Sequence, residues 1–252
     1  MLTNSQDRKS LRWIFAIIVL AATLTMSAGS SLPARPAQIQ SKVAPRPQTS
    51  ATAQPKSKVS PAPQTKVTAV QISIAKTLGT KNAPIQFEVF SDFQCPACRS
   101  FFLSASHRLV EDYCSAGKVY LIHHDFPMPI PSHVHSEEAA RWANAAAAIG
   151  KFHEVESALY SHQDSWGASG KIDEVLADVL SPTDLKRVRA LVDDTEVRAA
   201  IQHDKDLGDA NNVVLLGTPS IFVTHNSHRD QLNSSGASYN LLKPYLDYLL
   251  QH

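Results

Sequence analysis

Two cysteines two residues apart, Cys95-Pro96-Ala97-Cys98, are the side chains in this sequence best suited to covalent chemistry. They follow an apolar run, Ile85 to Phe90, that reads as a buried two-sided strand, and they open a helix expected from about Pro96 to Ser115. Cys95 then falls at the N-cap and Pro96 at the first helical position, where its missing N–H is no loss. The free N–H groups and the positive end of the helix dipole favour a thiolate there. A lowered pKa makes Cys95 the nucleophile. Cys98, one turn on, shares a less exposed face with Phe102, Ala105 and Leu109. One thiolate attacks a partner's disulfide, and the second closes on the mixed disulfide and releases it.

Other readings of the pair are open at the level of the residues. A structural disulfide is one, although a ring this small at a helix start restricts the unfolded chain little. Half of a zinc site is another, and it needs two more ligands. The third thiol, Cys114, lies 16 residues beyond Cys98. On a continuous helix that is about 24 Å along the axis and roughly 160° around it, out of reach of the pair. Cys114 reads as a buried, apolar-like residue near the helix end, or as a free thiol that pairs between molecules. His123, His124, His133 and His135 cluster in sequence, but no helical i, i+4 His pair with a carboxylate accompanies them. They are expected on the surface or in loops, with no metal bound.

The elements that must hold the pair emerge from composition and pattern. The chain has 252 residues, 43% hydrophobic and 19% charged, with three cysteines. Wholesale disorder and a disulfide-dense mini-scaffold are both excluded. The formal charge of +1 hides an asymmetry: residues 1–87 carry 11 Lys or Arg and one acid, Asp7, a net +10, whereas residues 88–252 carry 13 bases and 22 acids, a net −9. An acidic folded part repels phosphate backbones, so nucleic acid is not expected as a partner. Residues 1–29 read as a signal peptide or membrane anchor, with Arg8, Lys9 and Arg12, then the apolar run Trp13 to Met26, then small residues. This segment is expected to contact the membrane and to direct the remainder of the chain out of the cytoplasm. Residues 30–66 hold seven of the 15 prolines, and Ser41 to Thr49 returns imperfectly as Ser57 to Thr65. A disordered linker is expected, spanning roughly 35 Å as a flexible coil.

Residues 67–252 are expected to fold. Val70, Ile72 and Ile74 alternate with polar residues and suggest a first strand, followed by a turn and the strand Ile85 to Phe90. After the helix that carries the cysteines come a strand from Lys118 to His124 and a Pro-rich loop. A helical block spans about 130–212, with Gly150 and Ser181-Pro182 as stop and start signals. A strand at Ser220 to Thr224 and a helix at Tyr239 to Gln251 complete an α/β fold with a helical insertion.

Four landmarks in order resemble the DsbA-like branch of the thioredoxin superfamily. They are Phe90-Ser-Asp-Phe-Gln-Cys-Pro-Ala-Cys98, Asp125-Phe-Pro127, the Ala-rich stretch from Glu138 with Gly150-Lys-Phe-His153, Tyr160 and Trp166, and Gly217-Thr-Pro-Ser-Ile-Phe-Val223. The similarity covers about residues 67–252. It implies a thioredoxin fold with an inserted α-helical domain, a cis Pro219, catalytic Cys95 and Cys98, and substrate contacts at Thr218, Pro219, Pro96 and Ala97. No cofactor is expected. The activity implied is an extracytoplasmic, for example periplasmic, thiol:disulfide oxidoreductase, tethered by its N-terminal segment, that oxidises unfolded or reduced exported proteins. A membrane quinone-linked DsbB or vitamin K epoxide reductase-like enzyme would recycle it. A reductase or isomerase of the same fold, and a tethered peptide-binding or chaperone module with a structural disulfide, are the alternatives. Where family members often place an acid six residues before the first Cys, this chain has Val89, with Glu88 one place earlier and so on the opposite strand face. Ala97 stands where the strongest oxidants of the family carry His, and adds no positive charge beside the thiolate. A titration against glutathione is therefore expected to place the couple below roughly −120 mV; a value at or above that overturns the expectation.

Overall fold

A computed structural model describes residues 66–232 and 237–252. The expected leader at 1–29 and, Lys66 apart, the expected linker at 30–66 lie outside the described residues.

The described chain enters through a short helix, α1 (Ala69–Ile74). The alternation at Val70, Ile72 and Ile74 predicts a strand here, and the structure corrects it. The Thr68 hydroxyl accepts the Gln71 N–H, and the Gln71 side chain accepts the Thr68 N–H, a reciprocal cap that starts a helix. Ile72 is buried while Val70 and Ile74 stay 68% and 60% exposed, because residues two apart do not share a helix face.

Five strands form one sheet in the order β1-β3-β2-β4-β5, namely β1 (Thr77–Leu78), β2 (Ile85–Ser91), β3 (Val119–Asp125), β4 (Ser220–His225) and β5 (His228–Leu232). The central pair β2 and β3 is parallel, and the other pairings are antiparallel. Ile85, Phe87 and Val89 enter the core on one face of β2, and Phe90 enters a smaller cluster on the other. The mixed α/β, thioredoxin-like fold expected from the sequence is thus present. Sequence patterning misses β5, since His228-Arg-Asp-Gln-Leu232 has one apolar residue. A two-residue turn at Asn226 and Ser227, with φ of +48° and +65°, folds it back onto β4 as an edge strand.

Between β2 and β3 a helical run, α2, extends from Pro96 to Cys114, with π-helical turns at Phe102–Ser106 and Val110–Cys114. Between β3 and β4 lie α3 (Ser136–Ala147), α4 (Phe152–Ser161), α5 (Gln163–Trp166), α6 (Ile172–Ala177), α7 (Pro182–Leu191), α8 (Thr195–Ala210) and α9 (Val213–Leu216). Gly150, at φ +74°, permits the turn between α3 and α4. The Ser181 hydroxyl accepts the Asp184 N–H to start α7 at Pro182. The last helix, α10 (Tyr239–Leu249), packs Leu242 and Leu246 onto the core that contains Ile85, Phe87 and Val89.

The helical insertion is fastened to the sheet by buried charge. Lys76, 1% exposed, donates to Asp125 Oδ2 at 2.6 Å at the end of β3 and to the Asp204 carboxylate on α8. Asp204 also accepts from the Asp125 N–H at 3.0 Å and lies 2.9 Å from His124 Nδ1. Burial alone would lower the Lys76 pKa, but the charges of Asp125 and Asp204 more than offset it and raise it. Burial raises the two carboxyl groups, and Lys76 overrides that to hold both below the usual range. Asp204→Asn strands part of the lysine charge and is expected to cost about 3–5 kcal/mol in urea unfolding at neutral pH. Because these carboxyl pKa values are lowered by folding, their contribution is present above about pH 4 and lost on acidification, so the gap between wild type and variant should close there.

Candidate active site

Strand β2 hands the chain to α2 through Asp92, Phe93 and Gln94, and Cys95 occupies the N-cap position with extended backbone, φ −72° and ψ 121°. Pro96 is the first helical residue. Cys95 is 8% exposed and Cys98 not at all, while Pro96 and Ala97 between them are exposed. Both cysteines are free thiols. From the far end of the domain the loop before β4 closes on the pair: the Thr218–Pro219 peptide is cis, and the Thr218 carbonyl oxygen lies 3.2 Å from Cys95 Sγ. Thr218 is half-buried and Pro219 buried.

The two sulfurs are electrostatically unlike. The Cys98 thiol, hydrogen-bonded to Cys95, has the largest influence on it; burial opposes, and Thr218 with the N–H groups of Cys98 and Ala97 reinforces, so that the Cys95 pKa falls to about 5. Burial pushes Cys98 well above an ordinary thiol, and the hydrogen bond and charge of Cys95 push it further. The Asp92 N–H, 3.5 Å from Cys98 Sγ, and Ser91 act weakly the other way. At neutral pH the sulfur of Cys95, only slightly exposed, is charged, and that of Cys98 is protonated beneath it.

Several contacts that brace this corner are not visible in the sequence. Gln163 donates to the Phe93 and Cys95 carbonyls at 2.7 and 3.1 Å, fixing the helix start from α5. The buried Asp92 carboxylate accepts from the Met128 N–H at 2.9 Å and from the Ser136 hydroxyl, and lies 2.7 Å from His133 Nδ1. Ser91 Oγ and Tyr160 Oη are 2.7 Å apart, and Tyr160 packs against Phe93 and Phe102. No local spacing marks these partners, because all of them lie on the inserted segment.

One expectation is corrected. His123 and His124 are buried strand residues, 6% and 7% exposed, with carboxylates on both sides of β3. His133 lies in the loop before α3, 2.7 Å from the Asp92 carboxylate. Among the described residues no group of three or more His, Cys, Asp or Glu is arranged to hold a metal ion. Cys114 belongs to the other core cluster, buried with Tyr113 and Val119, and burial raises its pKa to about 11. Glu88 pairs with Arg229 at 3.0 Å and lies 3.5 Å from His124, away from Cys98, whereas Val89 faces it.

The family model described as Thioredoxin matches residues 74–240. The chain belongs to the thioredoxin superfamily. Within the superfamily it is similar to the probable disulfide bond formation protein D of Bacillus anthracis, 25% identical over 163 residues that span 61% of this chain and 71% of that protein. Its fold matches oxidised BdbD from Bacillus subtilis with a TM-score of 0.57 at 18% identity, covering 70% of this chain and 93% of that one. It also matches alpha-DsbA1 of Wolbachia pipientis with a TM-score of 0.52 at 19% identity, over 69% and 89% of the two chains. It is a DsbA-like thiol:disulfide oxidoreductase. In such a protein the charged sulfur is the measurable hallmark. Thiolate absorption of the reduced chain is expected to titrate with a midpoint near 5, and Cys95→Ser to remove that transition entirely; a first thiol titrating at the ordinary value of about 8.5 contradicts the geometry.

Proposed function

We propose that this protein oxidises exported proteins outside the cytoplasm, passing its Cys95–Cys98 disulfide to them through a mixed disulfide on Cys95. The observation that carries this reading is the contrast between a sulfur at the helix N-cap, 8% exposed and faced by the N–H groups of Ala97 and Cys98, whose pKa falls to about 5, and a fully buried partner pushed well above the thiol range. A client thiolate attacks Cys95 Sγ, the S–S bond breaks, and Cys98 departs as a thiolate. A second client thiolate then attacks the client sulfur of the mixed disulfide, and Cys95 leaves with its electron pair; its low pKa makes it a good leaving group. The client is left oxidised and the protein reduced.

Thr218, half-buried and held by the buried Pro219, would form with the exposed Pro96 and Ala97 the surface against which an extended client segment lies. The Thr218 carbonyl, 3.2 Å from Cys95 Sγ, supports pairing of such a strand beside the sulfur. Recycling falls to a membrane quinone-linked partner of the DsbB or vitamin K epoxide reductase type. Residues 1–29 would bring the domain to that membrane, with residues 30–66 as tether. The basic, apolar and small succession in the sequence supports this placement. Among the described residues no helix is long and apolar enough to cross a membrane.

Trapping tests the proposal directly. Cys98→Ala in the full chain is expected to accumulate exported proteins, and the recycling enzyme, as mixed disulfides on Cys95 that reductant releases. Cys95→Ser should abolish both trapping and client oxidation. Client oxidation that survives Cys95→Ser would leave only a binding module with an incidental dithiol.

A further inference from the structure

Opening the Cys95–Cys98 bond places a negative charge on a sulfur with no exposed surface, and closing it again takes a proton from the same atom. A proton must therefore travel between Cys98 and solvent. From β2 the side chains that face Cys98 are Val89, which carries no proton, and the Ser91 hydroxyl, while Glu88 is engaged with Arg229 elsewhere. On the α4 side the lining changes character. A cavity of about 20 Å³ adjoins Cys98, Ser91, Tyr160, His123, Glu156 and His153, wide enough for one water molecule. Ser91 and Tyr160 are linked at 2.7 Å on its inner wall. Glu156 spans the outer part: Oε1 lies 3.0 Å from His123 Nδ1, and Oε2 lies 3.1 Å from His153 Nδ1. The His153 side chain is 35% exposed, so the line of polar groups reaches the surface.

We propose that the Glu156–His123 pair, with His153 at its outer end, is the proton relay of Cys98. This inference rests on the disulfide-exchange reading above and assigns its proton step. When a client thiolate breaks the S–S bond, Cys98 takes both electrons of that bond. Both His123 nitrogens face carboxylates, so the proton held between His123 Nδ1 and Glu156 Oε1 passes to it from the Glu156 carboxyl across the cavity, by way of the Ser91 and Tyr160 hydroxyls or a water. His123 regains its proton from solvent through His153 and Glu156. Resolution of a mixed disulfide by Cys98 runs the same transfers backwards. The other charges around the pair are already committed: Asp125, 3.3 Å from His123 Nε2, is bound by Lys76, which also lines the cavity, and Asp92 is bound by the N–H groups of Gln94 and Met128, the Ser136 hydroxyl and His133. His107 on α2 packs edge-on against Phe102. Burial disfavours charge on both His123 and Glu156, yet Asp125 and Glu156 raise His123 to about 9, and His123 with His153 lowers Glu156 to about 2. At neutral pH the imidazolium is a stronger acid than the Cys98 thiol, so the transfer runs downhill.

Rapid-quench kinetics of the oxidised full chain with reduced glutathione, normalised to glutathione thiolate, test the relay. The wild-type opening rate should fall on the alkaline side near pH 9, where His123 loses its proton. Glu156→Gln is expected to slow opening at neutral pH by about tenfold or more. It should also move the alkaline limb to lower pH, because His123 loses a carboxylate partner, while the Cys95 titration stays in place. His153→Gln, at the surface end, should slow opening to a lesser degree without moving the Cys95 titration. Wild-type rates and pH profiles in both variants overturn the relay; should Glu156→Gln not fold, an unchanged profile in His153→Gln does so alone. A wild-type disulfide that does not react with glutathione at all removes the proposed function, and the relay with it.

Discussion

Charge on a sulfur persists inside a protein only where hydrogen-bond donors face it and no second negative group competes nearby. At the start of α2 both conditions are met by backbone geometry. The N–H groups of Ala97 and Cys98 point at Cys95, and the Cys98 thiol below donates to it. The same arrangement forces the second thiol to stay protonated, since it is fully buried and next to the first charge. Everything specific to the pair, including which sulfur attacks and which waits, comes from this difference in hydrogen bonding and burial across one helical turn. A reduced form stabilised in this way makes the corresponding disulfide more oxidising than one between two ordinary thiols.

Holding that corner requires the helical insertion, and the insertion is joined to the sheet by ionisable groups as well as apolar packing. From Arg229 the sequence of partners runs through Glu88, His124, Asp204, Lys76, Asp125, His123 and Glu156 to His153. It passes from the sheet edge beneath β3 to α4 and α8. The inner members, Lys76, Asp125, Asp204, His123 and Glu156, lose nearly all their hydration, and their neighbours replace it with opposite charge, so removing one of them strands a buried charge. Apolar residues of similar volume would hold the lobes as firmly, but they could not exchange protons with a buried thiol. The chemistry of the site thus gives a reason for a costly kind of packing.

Much of the architecture was legible because it is local. A two-sided apolar run ending in Cys-Pro-x-Cys reads as a strand entering a helix, and Gly217-Thr-Pro before Ser-Ile-Phe-Val reads as a loop entering a strand. The failures have equally local causes. Residues 70–74 alternate well enough for a strand, yet the Thr68–Gln71 cap selects a helix, and a six-residue stretch is too short for periodicity to decide. Strand β5 carries no apolar signature, because one edge of it faces solvent and, among the described residues, β4 is the one strand it pairs with. His123 and His124 look like surface residues by type. They are buried because β3 is covered on both faces, a fact that belongs to the sheet and not to the strand.

The amino-acid sequence by itself determined the reactive pair, its place at a helix start, and the family to which the domain belongs, since helix-end N–H groups and the proline at the first position act within a few residues. Only the tertiary structure decided what surrounds the sulfurs. Thr218 lies 123 residues from Cys95, and Tyr160 lies 69 from Ser91. Hydrogen bonds and fields reach a few ångströms whatever the separation along the chain, so the closeness of the Gly217-Thr-Pro loop to the thiolate, and the polar cavity beside Cys98, have no signature in local pattern.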